Sequence, residues 1–447
     1  MAFSAEGGGF AYRPDEVLVG GARGRDVARR SFPDLEAEED LAIFPQRETG
    51  QVFRMRGAVN PLEVVHELRS EGVFAQPNHV FFAHGDGCCG PHPSLRWCGA
   101  PQASHFDASS SEVPPFFAPS DTSPSSAAPF DASPFYASPF YASPFYASPF
   151  YASPFYASAL QPDGRRRSSA LPAGPSASTV STYVGEQRFP RVVVLDTGFA
   201  AESVRPAELA WLTPGREHWE LPDEDRGGYL DPAGGHGTYI SGLIEQLAPG
   251  CDIVPEKLLT TMGDGDEGAI AKRIEELAIA GDVDLLNLSF GGYALERPHV
   301  LEAALRRVQE AGTVVVASAG NDATCRPTYP AASTGVVGVG ALGPGGPAPF
   351  TNYGHWVRAC APGVDMVAPF FAEFIGAGKA PPGIPDADDF HGWARWSGTS
   401  FATPAVVAAL AREMRLFGTD ARQAMARVID APTLCRIPDL GTVVNLG

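Results

Sequence analysis

The chain has 447 residues, 44% of them apolar, and carries a formal net charge of −19 at pH 7. This length allows two or three domains, and the acidic balance argues against nucleic acid or an anionic membrane surface as a general partner. The first residues lack the basic and apolar regions of a Sec signal peptide, and no apolar run reaches 18 residues. We therefore expect no membrane span and a cytoplasmic location, with export by a non-Sec route left open.

Residues 10–84 have the pattern of a small α+β domain. Strands are predicted at 16–19, 51–55 and 73–82, helices at 25–30 and 61–70, and a weaker strand near 42–44. The resulting order is βαββαβ, which is the ferredoxin-like arrangement. A fold of this kind does not specify a function by itself.

Residues 85–185 form a low-complexity segment rich in Pro, Ser and Ala, in which Ser-Pro-Phe-Tyr-Ala repeats five times in tandem from Ser133 to Ala157. A proline at every fifth position prevents a continuous helix and removes ladder donors, so we expect an extended, disordered linker that acts as a spacer. The Phe-Tyr pair of each repeat exposes apolar surface. The alternative is therefore that the repeats bind a partner or a groove on the neighbouring domain.

Residues 186–447 alternate strands with helices. Apolar strands at 191–195, 285–290 and 313–317 are separated by helical stretches at 267–280 and 298–311. This alternation predicts an α/β domain with a doubly wound, mainly parallel sheet. Asp196 follows the first of these strands, at the carboxyl edge where open α/β sheets bind ligands.

Two further polar residues lie on Gly-rich turns. His236 begins a predicted helix, and Ser400 precedes the apolar, Ala-rich run 405–414. Serine at a helix start is either a cap or a nucleophile surrounded by unpaired backbone N–H groups. Asp196, His236 and Ser400 together supply a carboxylate, a general base and a nucleophile, which favours the second interpretation. Asn321 follows the strand at 313–317 and could donate to an oxyanion together with the Ser400 N–H.

The motifs Asp196-Thr197-Gly198, His236-Gly237-Thr238, Gly320-Asn321 and Gly398-Thr399-Ser400 resemble the four blocks of the subtilisin-like (subtilase) serine peptidases. The likeness extends over residues 188–447 and implies a subtilisin-like fold. It implies a serine endopeptidase in which Ser400 attacks the scissile carbonyl, His236 relays the proton, Asp196 orients it and Asn321 stabilises the oxyanion. It also implies that a set of substrate-binding residues lines the cleft: Ser289, Phe290, Gly291, Gly320 and Thr328, the last at the base of the S1 pocket.

The resemblance implies that residues 10–84 are a propeptide-like folding chaperone and inhibitor. Its last strand, 77–84, would lie in the cleft between 289–292 and the opposite edge strand at 262–265. Self-processing would then occur just after this strand or near Thr182. Tyr239 departs from the family, because many members carry a second His at this position, and we expect little chemical effect.

The acidic segment Gly263 to Gly268 has several interpretations. Asp264, Asp266 and Glu267 either favour basic substrate residues or stabilise a helix N-terminus. The segment also resembles half a calcium loop, without the distal Glu. We expect no required cofactor and no metal ligand set, with structural calcium left open because subtilases often bind it.

The seven cysteines lack the paired spacing of a zinc site. Cys325 and Cys360 could pair in an oxidising compartment, but reduced thiols are favoured for a protein without a signal peptide. We expect a monomer that acts on protein or peptide substrates. Two alternatives use the same residues: a non-catalytic peptide-binding protein, and an enzyme that hydrolyses esters.

Overall fold

The computed structural model describes residues 1–4, 9–43, 51–83, 158–159, 189–294, 296–375 and 390–445. Most of the predicted linker 85–185 lies outside these residues, as do His84 and Thr182. None of the helices in the described part of the chain is long and apolar enough to span a membrane.

The N-terminal region is a four-stranded antiparallel sheet with two helices and one added strand. Its elements are β1 (Ala2–Ser4), β2 (Phe10–Gly20), α1 (Gly21–Ser31), β3 (Glu36–Asp40), β4 (Val52–Arg56), α2 (Pro61–Ser70) and β5 (Ala75–Ala83). The sheet order β5-β2-β4-β3, with β1 added on β2, confirms the ferredoxin-like arrangement. Helix α2 begins where its sequence predicts, because Pro61 suits a first helical position and the Asn60 side chain accepts from the Leu62 N–H at 3.1 Å.

One N-terminal strand was predicted at the wrong place. The strand lies at Glu36–Asp40 instead of 42–44, and it pairs with β4. The acidic run gives no apolar alternation, so its strand character comes from backbone pairing with a neighbour. Ile43, which lay in the predicted strand, is instead buried in the connection that follows β3, as is Leu41.

The second region contains the remaining elements. In chain order these are β6 (Ser158–Ala159), β7 (Arg191–Asp196), β8 (Phe199–Ala200), β9 (Trp219–Glu220), α3 (His236–Leu247), β10 (Asp252–Lys257), β11 (Asp264–Asp266), α4 (Glu267–Ala280), β12 (Leu285–Leu288), β13 (Phe290–Gly291), α5 (His299–Glu310), β14 (Val314–Ser318), β15 (Val337–Gly343), β16 (Gly346–Pro347), β17 (Val357–Pro362), β18 (Met366–Pro369), β19 (Trp393–Trp396), α6 (Thr399–Phe417), α7 (Ala421–Met425), β20 (Arg436–Ile437) and β21 (Gly441–Val443).

The central sheet has the order β10-β7-β12-β14-β15-β17-β21-β20 and is parallel from β10 to β21. Helices α3 and α6 pack on one face of it, and α4 and α5 on the other. Burial on both faces explains why strands β7, β12 and β14 are mostly apolar and buried along their length rather than alternating. The doubly wound, mainly parallel α/β fold is thus confirmed.

Strand β5 joins the two regions. Its last residues pair antiparallel with β11 on one side and with β13 on the other, and the Ala83 N–H donates to the Gly263 carbonyl at 2.8 Å. The N-terminal region therefore inserts its last strand between two edge strands of the second region. Within the predicted linker, Ser158–Ala159 forms the short strand β6 against β19.

Candidate active site

Asp196 and His236 form a buried hydrogen-bonded pair. Asp196 is the last residue of β7, and its Oδ1 accepts from His236 Nδ1 at 2.7 Å and from the Thr197 N–H at 2.8 Å. Both side chains are fully buried. Because Nδ1 carries the proton given to the carboxylate, Nε2 remains the basic nitrogen, and it is buried without a hydrogen-bond partner in the described residues.

Close backbone packing holds this pair in place. A Cβ on Gly237 would lie 2.2 Å from the Gly198 carbonyl oxygen, so only glycine fits between the start of α3 and the end of β7. The Gly237 N–H donates to Thr197 Oγ1 at 2.9 Å. The two sequence motifs therefore interlock, and each is needed to position the other.

Glu220 binds the residues on either side of His236, and this role was not predicted from the sequence. Its Oε1 accepts from the Thr238 N–H at 3.1 Å and from Thr238 Oγ1 at 2.6 Å, and its Oε2 accepts from the Gly235 N–H at 3.2 Å. These N–H groups belong to the start of α3, where intrahelical partners are missing. Burial raises the pKa of Glu220. The sequence contains no motif at Glu220 that distinguishes it from its acidic neighbours.

Ser400 is the second residue of α6. A helical N–H at position 404 would bond the Ser400 carbonyl, but residue 404 is proline and has no N–H. Ser289 Oγ takes its place and donates to that carbonyl at 2.9 Å. In return, Ser400 Oγ donates to the Ser289 carbonyl at 3.0 Å. The hydroxyl thus points to Ser289 in this structure and makes no hydrogen bond to His236 Nε2.

Asn321 lies beside the start of α6. Its Oδ1 accepts from the Thr399 N–H at 3.0 Å and from Thr399 Oγ1 at 2.9 Å. Since the amide oxygen is held by Thr399, the NH₂ group is directed the other way. Asn321 is therefore bonded to Thr399, the residue before Ser400, with whose N–H it was predicted to act.

Asn352 was also missed by sequence reasoning. It is fully buried, and its amide NH₂ donates to the Ala319 carbonyl at 2.9 Å and to Thr328 Oγ1 at 3.2 Å. A Cβ on Gly320 would lie 2.4 Å from Asn352 Nδ2, and Gly320 has a φ of +102°. Asn352 thus requires glycine at position 320 and fixes the loop that carries the candidate oxyanion donor.

The predicted substrate-binding residues lie in one region. Ser289 connects β12 to β13, where Phe290 and Gly291 pair with β5. The next residue, Gly292, exchanges two backbone hydrogen bonds of 2.9 Å with Tyr329. This bridge holds the buried Thr328 beside Gly320, with 3.5 Å between Thr328 Oγ1 and the Cβ position of Gly320. This arrangement fits a substrate pocket with β13 as one wall and Thr328 at its floor. The S1 role of Thr328 stays a prediction.

Aromatic side chains surround the imidazole of His236. Its ring lies edge-on to Trp396, with centroids 5.5 Å apart, and 5.4 Å from the ring of Phe401. Tyr239 is buried, and its hydroxyl donates to the Met366 carbonyl at 2.5 Å. Tyr239 therefore packs as a core residue on α3, and its lack of chemical effect stays a prediction.

Strand β5 lies between β11 and β13, the two edge strands of the predicted substrate cleft. Phe81 lies opposite Gly265, and Ala83 lies opposite Phe290. The Phe81 side chain is fully buried, and its Cδ1 is 2.9 Å from the Cβ position of Gly292. It belongs to the apolar cluster of the second region, not to the core of the N-terminal region.

The acidic residues of the cleft edge bind the N-terminal region. Asp264 pairs with Arg13 at 3.2 Å. Asp266 lies 3.6 Å from Arg54 and also caps α4 by accepting from the Ala269 N–H at 3.0 Å. Glu267 Oε2 lies 2.6 Å from His79 Nδ1 in a buried pair. These residues form strand β11 and the start of α4, so the segment that resembled half a calcium loop is a cleft edge.

Among the described residues, one group of three carboxylates has the spacing of a cation site: Asp223, Asp225 and Asp231. Asp223 and Asp225 accept from the N–H groups of Gly227 and Gly228 at 2.7–2.8 Å. Two of the three carboxylates therefore already organise a turn, and structural calcium stays a prediction.

The cysteine pairing is a correction. Cys325 is disulfide-bonded, whereas Cys360 is a free buried thiol, as is Cys251. The Cys325–Cys360 pair is therefore wrong, and so is the expectation of a reduced thiol at Cys325. Burial raises the pKa of Cys360 to about 12 and that of Cys251 to about 11.

Comparison with known proteins places these features in a family. Residues 190–429 match the model of the Subtilase family. The thermostable alkaline protease of Halalkalibacterium halodurans is 31% identical over 235 residues, which are 50% of this chain and 56% of that protein. The intracellular serine protease of Paenibacillus polymyxa is 31% identical over 241 residues, which are 49% of this chain and 65% of that protein. A solved structure, described as proteases from Pseudoalteromonas arctica, aligns with a TM-score of 0.44 at 22% identity and covers 57% of this chain and 88% of that chain. The chain thus spans little more than half of the length of the first of these relatives.

Proposed function

The chain belongs to the subtilase family, and on that premise we propose that it is a serine endopeptidase that cleaves peptide bonds through an acyl-enzyme. The observation that carries the proposal is the buried hydrogen bond of 2.7 Å between Asp196 and His236. It leaves His236 Nε2 to act as the base, and this nitrogen has no hydrogen-bond partner among the described residues. The relatives named as proteases support the same activity.

The reaction begins when the Ser400 hydroxyl rotates from the Ser289 carbonyl to His236 Nε2. His236 takes the proton as Ser400 Oγ attacks the scissile carbonyl, and Asp196 stabilises the imidazolium. The Asn321 amide and the Ser400 N–H donate to the oxyanion. His236 then protonates the leaving amine, and water attacks the acyl-enzyme by the same steps in reverse. No cofactor takes part in this sequence.

We further propose that the N-terminal region inhibits this cleft and is cut by it. Strand β5 pairs with both edges of the cleft, as an added substrate strand does. Ala83, the last described residue of β5, lies opposite Phe290, which directly follows Ser289 in the chain. The Ser289 carbonyl accepts from Ser400 Oγ. The proposed cut therefore follows His84, and this register does not support the alternative site near Thr182.

Fluorophosphonate labelling tests the catalytic proposal, because the reagent reacts with a serine only when a base activates it. We expect the label on Ser400 in the wild-type chain, and a loss of at least 100-fold in labelling rate in His236→Ala, since general base catalysis contributes roughly 100- to 10,000-fold. Denatured chain is the control for intrinsic serine reactivity. Equal labelling of native chain, His236→Ala and denatured chain would instead favour a non-catalytic peptide-binding protein.

A further inference from the structure

The tripeptide that β5 places in the cleft recurs in the chain. Residues 81–83 read Phe-Phe-Ala, and Phe-Tyr-Ala is present in each of the five pentad repeats. In the register of β5, each repeat aligns as Phe-Tyr-Ala-Ser with Phe81-Phe82-Ala83-His84. The repeats thus carry the cleft-binding pattern five times in succession.

The burial of β5 explains which positions are the same. Phe81 is fully buried and Ala83 is 5% exposed, and each repeat has the identical residue at these two positions. Phe82 is only partly buried, and this is the position where the repeats have Tyr. A tyrosine there keeps the ring contact and directs its hydroxyl to solvent, so the one substitution falls where the cleft tolerates it.

The residue after each tetrapeptide differs in one informative way. The serine that ends each of the first four Phe-Tyr-Ala-Ser tetrapeptides is followed by proline, whereas Ser158, which ends the fifth, is followed by Ala159. In this register the bond after serine is the scissile bond. Proline places a ring on the leaving nitrogen that His236 must protonate, and it restricts the residue before it. Four repeats therefore fit the cleft but resist cleavage, while the fifth fits and has an ordinary amide bond.

The repeat segment also lies within reach. Its end, β6, pairs with β19 through Ser158 and Arg395, five residues before Ser400. The five repeats extend at most roughly 80 Å, against a radius of gyration of about 18 Å for a domain of this size. The first four tetrapeptides can therefore reach the cleft of their own molecule while β6 stays paired, and the fifth can reach it only once Ser158 leaves β19. The tether keeps their effective concentration high.

We propose that the Phe-Tyr-Ala-Ser repeats bind the substrate cleft in the register of Phe81-Phe82-Ala83 once β5 leaves it. The first four act as tethered competitors that are not cut. At the fifth, hydrolysis consumes one water and yields a carboxylate on Ser158 and an amine on Ala159. Binding requires only the cleft; the cut after Ser158 rests on the proposed peptidase function.

The binding test uses the full chain with Ser400→Ala and Phe81→Asp, so that β5 is displaced and nothing is cut. The probe is a fluorescent peptide with the sequence of residues 77–84. Replacing the five repeat phenylalanines by Ala removes the tethered competitors, and we expect the probe to bind at least about tenfold tighter. The matched control replaces the five repeat tyrosines by Phe, which should leave the probe affinity within twofold. Equal probe affinity in the Phe→Ala and Tyr→Phe chains would overturn the proposal. If Phe81→Asp lowers the folded fraction by circular dichroism, Phe81→Ala serves in its place.

The cleavage test uses two synthetic peptides with the wild-type chain after processing. Two repeats with Ser-Pro at the scissile position should inhibit hydrolysis of a reference peptide without being cut, and the Pro→Ala peptide should be cut after Ser. Cleavage of the Ser-Pro peptide would overturn the role assigned to proline. An enzyme inactive on every peptide, the Pro→Ala peptide and the reference included, would refute the peptidase function and with it the cut after Ser158, while the binding test would still decide the docking.

Discussion

Truncation of Phe81 should release the N-terminal strand from the cleft. Its side chain is fully buried against Gly292, within the apolar cluster of the second region. Truncation of such a phenylalanine costs about 3–5 kcal/mol. We take the lower value of about 3 kcal/mol, because the cavity left by the ring lies between two regions that can move together to fill it. This energy corresponds to roughly 100-fold in the docking equilibrium.

The assay uses the Ser400→Ala chain and the fluorescent peptide of residues 77–84, whose apparent affinity is lowered by docked β5. Phe81→Ala should tighten probe binding by up to about 100-fold. Phe82→Ala is the matched control, because this phenylalanine lies on the same strand but is only partly buried, and it should change the affinity less than about tenfold. Equal effects of the two substitutions would refute the register that places Phe81 in the pocket.

Three further predictions concern individual groups. Asn321→Ala should lower kcat by roughly 100- to 1,000-fold with a small change in KM; steady-state kinetics that show a rise in KM alone would contradict its oxyanion role. Because burial raises the folded-state pKa of Glu220, the folded chain retains a proton that the unfolded chain loses above about pH 4.5, so the free energy of unfolding falls as pH rises through that window. Glu220→Gln should flatten this slope in urea titrations, and an unchanged slope would assign it to other groups. At pH 8, maleimide should label the exposed Cys435 in the native chain, and Cys360, with a pKa of about 12, only after unfolding; peptide mapping that finds native label on Cys360 would contradict its burial.

The candidate catalytic residues could be proposed from the sequence because each lies in a local motif. Helix α4 was predicted with its observed bounds, since Asp266 caps its start and Gly281 ends it with a φ of +66°. Asp196 ends strand β7 just before a glycine-containing turn, and His236 and Ser400 lie at the starts of helices whose N-cap residues are glycines. The α/β alternation then sufficed for the fold.

The missed features depend on contacts between distant parts of the chain. Glu220 acts on helix α3 across a connection without a motif, and Asn352 reaches the loop of Gly320 from beyond β15. The same holds for β3, whose acidic strand at Glu36–Asp40 is defined by its pairing with β4. Disulfide pairing likewise follows from folded geometry, so the sequence did not show that Cys325 is disulfide-bonded while Cys360 is free. The cytoplasmic location stays a prediction.

The central claim is that Ser400 cuts peptide bonds and that the strand in the cleft presents the first of them. Intact-mass spectrometry of purified wild-type chain beside Ser400→Ala tests this most directly. We predict a cut after His84 in the wild-type chain and an uncut Ser400→Ala chain. A Ser400→Ala chain that is cut after His84 as fast as the wild type would contradict self-processing, and a wild-type cut near Thr182 alone would contradict the register of β5.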